Sequence, residues 1–405
     1  MNRSKGPLSG IKVIELATYV AAPVVGRMCA DAGAEVIKIE SKGGDPWRYS
    51  SAGYTKTDFT ENPLFDIYNA GKKCISLNIK TPDGAKIIMQ MLEEADIFLT
   101  NVRAASLAKL GLGYDMLKEK FPRLIYATMT GYGDEGPDRK APGFDSTSFW
   151  SRSGFSADMT FKSKGNYPVN SRFAMGDTAS GTALYGGLMT ALYQRERTGK
   201  GDFVTMSLYD AGIWMVGGCL VMAQEPYSHE FPDKRLSGIA MNLPYECADG
   251  EWIRCTIFEY ERYAHKFYDV IGVTEEMVRL GVHDNQSMTD MAETLVPLYE
   301  KAFMKKTSEE WVTAFRNVDI VCGRLYHFTD VLKDEQAWAN NYLQEYTCTN
   351  GAKRVITTSP IRIGSQGVPH AGKPMMYGGD NDEVLEALGY SRDAIRELKQ
   401  KQVLA

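Results

Sequence analysis

The chain has 405 residues, 44% hydrophobic and 24% charged, with a formal net charge of -5. Its length exceeds one ordinary core and points to two domains, and its composition excludes a disordered or fibrous chain. The acidic balance speaks against a nucleic-acid or anionic-membrane partner but leaves room for a local basic pocket.

The N-terminal MNRSKGPLSG runs into a strand without an apolar h-region, so no signal peptide is expected. Seven scattered cysteines without a C-x-x-C pair fit reduced thiols in a cytoplasm. Neither they nor the five histidines (229, 265, 283, 327 and 370) cluster at ligand spacing, so no metal site is expected.

In chain order, IKVIELA (11–17) predicts a central parallel strand, APVVGRMCADAG a helix, and AEVIKIE (34–40) the next strand. GAKIIMQMLEEA predicts a helix, DIFLT (96–100) a strand, SLAKLGLGYDMLKEKF helical turns, and RLIYATMT (123–130) a further strand. Such alternation implies right-handed crossovers and a parallel sheet with helices on both faces. A long helix over about 178–197 ends at TGKGD, and FVTMSLYDAG opens another strand and helix. The run AGIWMVGGCLVMA (211–223) is too short to span a bilayer and predicts a buried helix. From about residue 225 the pattern changes to short strands, as in LPYECADGEWIRCTIF, and then helices such as EEWVTAFRNV. TCTNGAKRVITTSPIRIG reads as strands, and a helix begins at DEVLEALGY.

GYGDEG (131–136) satisfies G-x-G-x-x-G after a strand, but Pro137 follows and no helix begins there to hold a pyrophosphate. Walker, nucleophile-elbow, kinase and zincin signatures are absent. Basic residues gather where turns follow strands: Arg103 lies beyond DIFLT, and Arg139 and Lys140 lie beyond RLIYATMT. The ligand crevice of such a sheet lies outside the carboxyl ends of its strands, so these charges suggest a phosphorylated ligand. In MGDTASG (175–181) a lone acidic residue, Asp177, stands at the mouth of the long helix. It reads either as an N-cap or as a functional carboxylate.

Several long stretches in order carry a resemblance: LSGIKVIELATYVAAPVVGRMCADAGAEVIKIES, KKCISLNIK, ADIFLTNVRAASLAKLGL, MTGYGDEGP, and GDTASG with TGKGDFVTMSLYDA. The sequence resembles the family III CoA-transferases (CaiB/BaiF type) over nearly its whole length. DEQAWANNYL and PGFDSTSFW make it most similar to members that move CoA from an acyl- or enoyl-CoA to a 2-hydroxy acid, such as phenyllactate or 2-hydroxyisocaproate.

The resemblance implies that Asp177 is the nucleophile. A carboxylate of ordinary pKa is ionised at neutral pH and attacks a thioester without a base, giving an aspartyl anhydride and then an aspartyl-CoA thioester. Gly176 and Gly181 would let backbone approach the substrate, and free N–H groups at the helix mouth would steady the oxyanion. It also implies CoA contacts at Val20, Ala21, Lys72, Leu77, Lys80, Asn101, Val102, Arg103 and Lys109, and at Lys140 by a looser match. No tightly bound cofactor is implied, the CoA thioester being a substrate.

The expected fold is α/β. A large Rossmann-like CoA-binding domain spans 1–205 with 340–405, and a small α+β domain spans 225–330, with 206–224 and 331–339 as linkers. The family forms interlocked ring homodimers. Where some members carry a four-glycine lid this chain reads RLSGIAMNLP, and its first loop carries Thr18 and Tyr19. Two alternatives remain. One is a 2-methylacyl-CoA racemase, which needs a histidine where this chain has Phe144 between Gly143 and Asp145. The other is a non-catalytic CoA-binding accessory protein. Phe149, Trp150 and Phe155 read as core aromatics or as an acyl pocket.

Overall fold

A computed structural model describes residues 6–160, 168–236 and 238–405. The chain divides into two units. The first comprises Met1–Ser156, Asn170–Gln224 and Glu335–Ala405, and the second comprises Ala157–Val169 and Glu225–Asp334.

The first unit is built on six parallel strands: β1 (Lys12–Leu16), β2 (Glu35–Glu40), β3 (Lys73–Ser76), β4 (Ile97–Thr100), β5 (Ile125–Thr130) and β6 (Phe203–Ser207). Their spatial order is β3-β2-β1-β4-β5-β6, the doubly wound order that reverses between β1 and β4. Helices fill the crossovers: α1 (Ala21–Asp31), α2 (Pro46–Thr55), α3 (Pro63–Asn69), α4 (Pro82–Glu93), α5 (Ala104–Lys109) and α6 (Tyr114–Lys120). Proline at the first helical position and a capping side chain start three of them. Asp45 accepts from the Trp47 N–H, Asn62 from Phe65, and Thr81 from Gly84. Ile14, Ile37, Ile75, Ile87, Leu92 and Phe98 lie in the core of this unit. The C-terminus closes the β3 edge, since Val403 accepts from the Asn78 N–H and Ser76 Oγ accepts from the Ala405 N–H.

After β5, residues 131–144 run as a loop, and GYGDEG opens no helix. A π-helical turn follows over Asp145–Ser151, then a single turn α7 (Phe155–Asp158) and the long α8 (Met175–Thr198). Gly199, at φ 72°, ends α8 in the left-handed region that suits glycine.

The segment 206–224, expected as a linker, belongs to the first unit and forms α9 (Leu208–Met215) and α10 (Gly217–Met222). The buried helix expected over 211–223 is therefore two short helices that meet at Val216 and Gly217. Its apolar residues are largely exposed, Trp214 at 83%, with Met215, Val221 and Met222 beside it. The other expected linker, 331–339, is divided between the units at Asp334 and Glu335.

In the second unit, β7 (Pro244–Glu246), β8 (Trp252–Thr256) and β9 (Val321–Arg324) pair antiparallel. Helices α11 (Tyr260–Ile271), α12 (Thr274–Leu280), α13 (Asn285–Asp290), α14 (Ala292–Phe303) and α15 (Ser308–Arg316) join β8 to β9. Tyr245, Phe267, Tyr299, Phe303, Trp311 and Phe315 form its aromatic core. The first unit ends with a hairpin, β10 (Leu343–Thr347) and β11 (Lys353–Thr357), and two helices at Asn381–Ala387 and Arg392–Gln400. Among the described residues no helix is long and apolar enough to cross a membrane, and no cluster of potential ligands could hold a metal ion.

Candidate active site

At the β1/β4 reversal, the place where doubly wound sheets bind their ligands, two loops leave the carboxyl ends of neighbouring strands. Asn101, after β4, locks them together: its Oδ1 accepts from the Thr18 N–H at 3.0 Å and its Nδ2 donates to the Thr18 carbonyl at 2.7 Å. Val20 and Ala21 begin α1 there. No side chain caps that helix, and Pro23 contributes no N–H. Among the described residues the Ala21 and Ala22 N–H groups have no hydrogen-bond acceptor.

The first loop is held from below by buried charges. Glu15 on β1 and Lys38 on β2 are register partners, and Glu15 Oε1 lies 2.9 Å from Lys38 Nζ. Glu15 Oε2 lies 2.8 Å from Lys72 Nζ, and Lys38 Nζ lies 3.1 Å from Asp45 Oδ2. All four side chains are fully buried, so two carboxylates and two ammonium groups compensate one another. Gly26 makes room for Glu15, since a Cβ there would stand 1.9 Å from Glu15 Oε2. Lys38 also donates to the Ala17 carbonyl, and Asp45 accepts from the Tyr19 N–H at 3.0 Å. The latter bond fixes Tyr19 in left-handed backbone at φ 63°. Burial alone would lower the Lys38 pKa, but Glu15, Asp45 and Glu40 outweigh it and raise it. Lys72 is more weakly compensated, and burial pulls it down to about 8.

Asp177 lies in the first turn of α8 and does not cap it. The N-cap residue is Ala174, in left-handed backbone at φ 57°, with no oxygen to offer. The cap comes instead from Asp145, whose Oδ1 accepts from the Asp177 N–H at 2.8 Å and whose carboxyl also bonds the Gly176 N–H. The neighbouring first-turn amides are used as well, Met175 N–H by the Arg172 carbonyl and Thr178 N–H by the Ala174 carbonyl. The expected oxyanion donors at the mouth of this helix are therefore already taken.

Gly176 and Gly181 also do other work than expected. A Cβ on Gly176 would fall 2.3 Å from Phe149 and 2.6 Å from Asp145 Oδ1. One on Gly181 would fall 2.6 Å from the Ala21 carbonyl oxygen. The glycines thus let α8 close onto the π-helical turn and onto the start of α1. Since residues four apart share a helix face, Asp177 stands on the face that meets the first loop. Tyr19 of the first loop and Phe144, next to Asp145, pack edge to face at 5.4 Å.

Asp177 is half-buried. Desolvation first, and the charge of Asp145 second, push its carboxyl up to about 8, well above the ordinary value expected from the sequence. Among the described residues no hydrogen bond reaches the carboxyl oxygens of Asp177. Tyr68 from α3 is the other polar group here. Its hydroxyl hydrogen-bonds with Thr178, and burial, with the charges of Asp177 and Asp145, raises its pKa. Desolvation raises Asp145 too, against the bonds it accepts.

The sequence-predicted site residues separate into groups. Val20, Ala21, Asn101, Val102 and Arg103 come together at the reversal, with Arg103 exposed and Val102 N–H bonded to Thr100 Oγ1. Lys109 is exposed at the end of α5. Lys72 must be corrected: its ammonium is fully buried against Glu15, the Pro23 carbonyl and Asn69, leaving nothing to meet a phosphate. Leu77 is packed in the core just after β3, and Lys80 is exposed in the turn that follows, both beyond the end of the edge strand two positions from β1. Lys140 is exposed in the loop after β5. Phe149 and Trp150 are buried and pack with Phe155, so they are core aromatics. The sequence reading passed over Glu15, Lys38, Asp45, Tyr68 and the capping role of Asp145. The signal for the first two was a charge placed inside an otherwise apolar strand.

A six-stranded parallel sheet, a helix without a side-chain cap at its reversal point and a carboxylate in the first turn of α8 place the chain among the doubly wound α/β folds. The CoA-transferase family III model matches residues 8–381, and the chain belongs to this family of enzymes. The (R)-2-hydroxy-4-methylpentanoate CoA-transferase of Clostridioides difficile is 36% identical over 400 residues, covering 98% of this chain and 99% of that one. The cinnamoyl-CoA:phenyllactate CoA-transferase of Clostridium sporogenes is 36% identical over 409 residues, covering 100% and 99%. Among solved structures, a mutant of Rv3272 from Mycobacterium tuberculosis matches with a TM-score of 0.81 at 25% identity, over 94% of this chain and 98% of that one. A CaiB/BaiF family protein from Brucella suis matches in fold with a TM-score of 0.81, over 95% and 100%.

Proposed function

We propose that this CoA-transferase moves CoA from an acyl- or enoyl-CoA to a 2-hydroxy carboxylic acid, with Asp177 as nucleophile. The observation that carries the reading is an unbonded carboxyl on the α8 face that meets the first loop, where Gly181 closes on Ala21. The two relatives at 36% identity over their full length support the acceptor class.

In its ionised form Asp177 attacks the thioester carbonyl, the C–S bond breaks, and CoA thiolate leaves an acyl-aspartyl anhydride. The thiolate attacks the aspartyl carbonyl of the anhydride, releasing the donor acid and leaving aspartyl-CoA thioester. The acceptor carboxylate displaces CoA from that thioester, and the thiolate then takes the acceptor acyl group and frees Asp177. One thioester replaces another, so the exchange needs no ATP. Oxyanion donors come from the mouth of α1 at Ala21 and Ala22 rather than from α8. Asn101, Val102 and Arg103 line the CoA path, with Arg103 and Lys109 supplying charge to its phosphates. Phe144 offers no second base, which disfavours racemisation.

The chain works as a homodimer in the cytoplasm. The exposed apolar run of α9 and α10 supports a second copy, and the scattered free cysteines support a reducing compartment.

A panel of 2-hydroxy acids, including phenyllactate and 2-hydroxy-4-methylpentanoate, offered with one enoyl-CoA donor and read by mass spectrometry tests the assignment. New 2-hydroxyacyl-CoA is expected. Transfer to simple dicarboxylic acids alone, or deuterium entering C2 of a 2-methylacyl-CoA without transfer, would overturn it.

A further inference from the structure

The helix bearing Asp177 begins without a cap of its own and borrows one from far along the chain. The first amides of a helix have no partner within it. In α8, the Gly176 and Asp177 N–H groups are both bound by Asp145, the latter at 2.8 Å, across a separation of 32 residues. The contact is built in from several sides. Gly176 has no Cβ to obstruct Asp145 Oδ1. Gly131 and Gly143 pack backbone to backbone, since a Cβ on Gly143 would lie 2.7 Å from the Gly131 Cα, and this ties the Asp145 loop to the end of β5. The indole nitrogen of Trp150, with no other partner among the described residues, lies beside the same carboxyl.

A carboxyl at a helix N-terminus is normally stabilised by the amides and by the positive end of the helix dipole. Here Asp145 occupies that position, and the Asp177 carboxyl, although in the same first turn, receives no hydrogen bond among the described residues. The groups facing Asp177 are Asp145 from the π-helical turn and Tyr68 from α3; among the described residues no cation faces it.

We propose that Asp145 is a positioning residue for the transfer reaction. It accepts from the α8 amides, fixes the first turn, and leaves the Asp177 carboxyl without hydrogen-bond donors, so that its oxygens stay free for attack. This rests on Asp177 being the nucleophile. Asp145→Asn separates the cap from the charge, because an amide oxygen in the place of Oδ1 still accepts from the Asp177 N–H while the negative charge is gone. Removing a neighbouring negative charge makes Asp177 more acidic.

The experiment compares pH profiles of kcat and KM for wild type, Asp145→Asn and Asp145→Ala, with hydroxylamine trapping of residue 177 in each. For Asp145→Asn the expected result is a wild-type thermal midpoint and KM for acyl-CoA, an acid limb of kcat lying about 0.5 or more lower in pH, and a several-fold smaller kcat above it. Asp145→Ala should add a lower thermal midpoint, which a merely structural cap would also show, but the displaced acid limb would not follow from that role. An Asp145→Asn profile identical to wild type, with residue 177 still trapped, would overturn the role of Asp145 alone. No trapping in wild type during turnover would instead overturn the nucleophile. If Asp145→Asn does not fold, the wild-type pH dependence of trapping decides: a limb well above the ordinary carboxyl range is expected, and a limb near pH ~4 contradicts it.

Discussion

Asp177→Asn should abolish transfer while making the protein more stable at neutral and alkaline pH. The folded-state pKa of Asp177 is raised to about 8, from an ordinary value of 3.8. Below the ordinary value both folded and unfolded states hold the proton, and the side chain costs nothing. As pH rises toward 8 the unfolded chain releases that proton while the folded one keeps it, so stability falls. Above 8 the loss is complete and constant. Each tenfold gain in proton affinity on folding corresponds to about 1.4 kcal/mol, and solvent reaching a half-buried carboxyl reduces the effect, so about 2–3 kcal/mol is expected at the plateau. Asparagine has nearly the same shape without the charge. Urea unfolding of both proteins at about pH 5.5, 7 and 8.5 should show an advantage for the variant that grows with pH, accompanied by a higher thermal midpoint. A difference that stays flat with pH, or a variant less stable than wild type at about pH 8.5, would refute the desolvated state of Asp177.

Lys38→Met should destabilise the first unit by about 3–5 kcal/mol, because Glu15 and Asp45 then face each other across a buried gap and the Ala17 carbonyl loses its donor. Chemical denaturation checks this, and a loss under about 1 kcal/mol would mean that the charges are not mutually dependent. Gly176→Ala should fold with a displaced first turn of α8, because its Cβ meets the Phe149 ring and Asp145. A kcat loss of about tenfold or more is expected with a small change in KM, and wild-type turnover would show that the turn is not held as described.

Five of the six strands were readable because each is a short apolar run bounded by turns and alternating with helices, whereas β3, four residues that open on the second of two lysines, was not read as a strand. The place of the crevice followed from that alternation, and with it Arg103, whereas Val20, Ala21, Asn101 and Val102 came from the family resemblance. Lys72 was misjudged because KKC presents two lysines side by side at the start of an edge strand. Nothing local tells which enters the core beside Glu15 and which, like Lys73, meets Glu35 near the surface. Asp145 was legible as a residue but not as a cap, since its partners lie across the intervening loop and the π-helical turn. The state of Asp177 was hidden for the same reason: burial and a neighbouring charge are properties of the folded site. The run at 211–223 shows the opposite failure, apolar enough to predict burial yet exposed in the chain taken alone.

Everything proposed for this enzyme depends on acyl transfer through the Asp177 carboxyl. The most direct measurement is to hold the protein in steady turnover with donor and acceptor, quench it with hydroxylamine, and sequence the peptide that carries residue 177. Conversion of Asp177 to its hydroxamate, absent without acyl-CoA, is the expected result. An unmodified Asp177 peptide from enzyme that is still turning over would contradict the account.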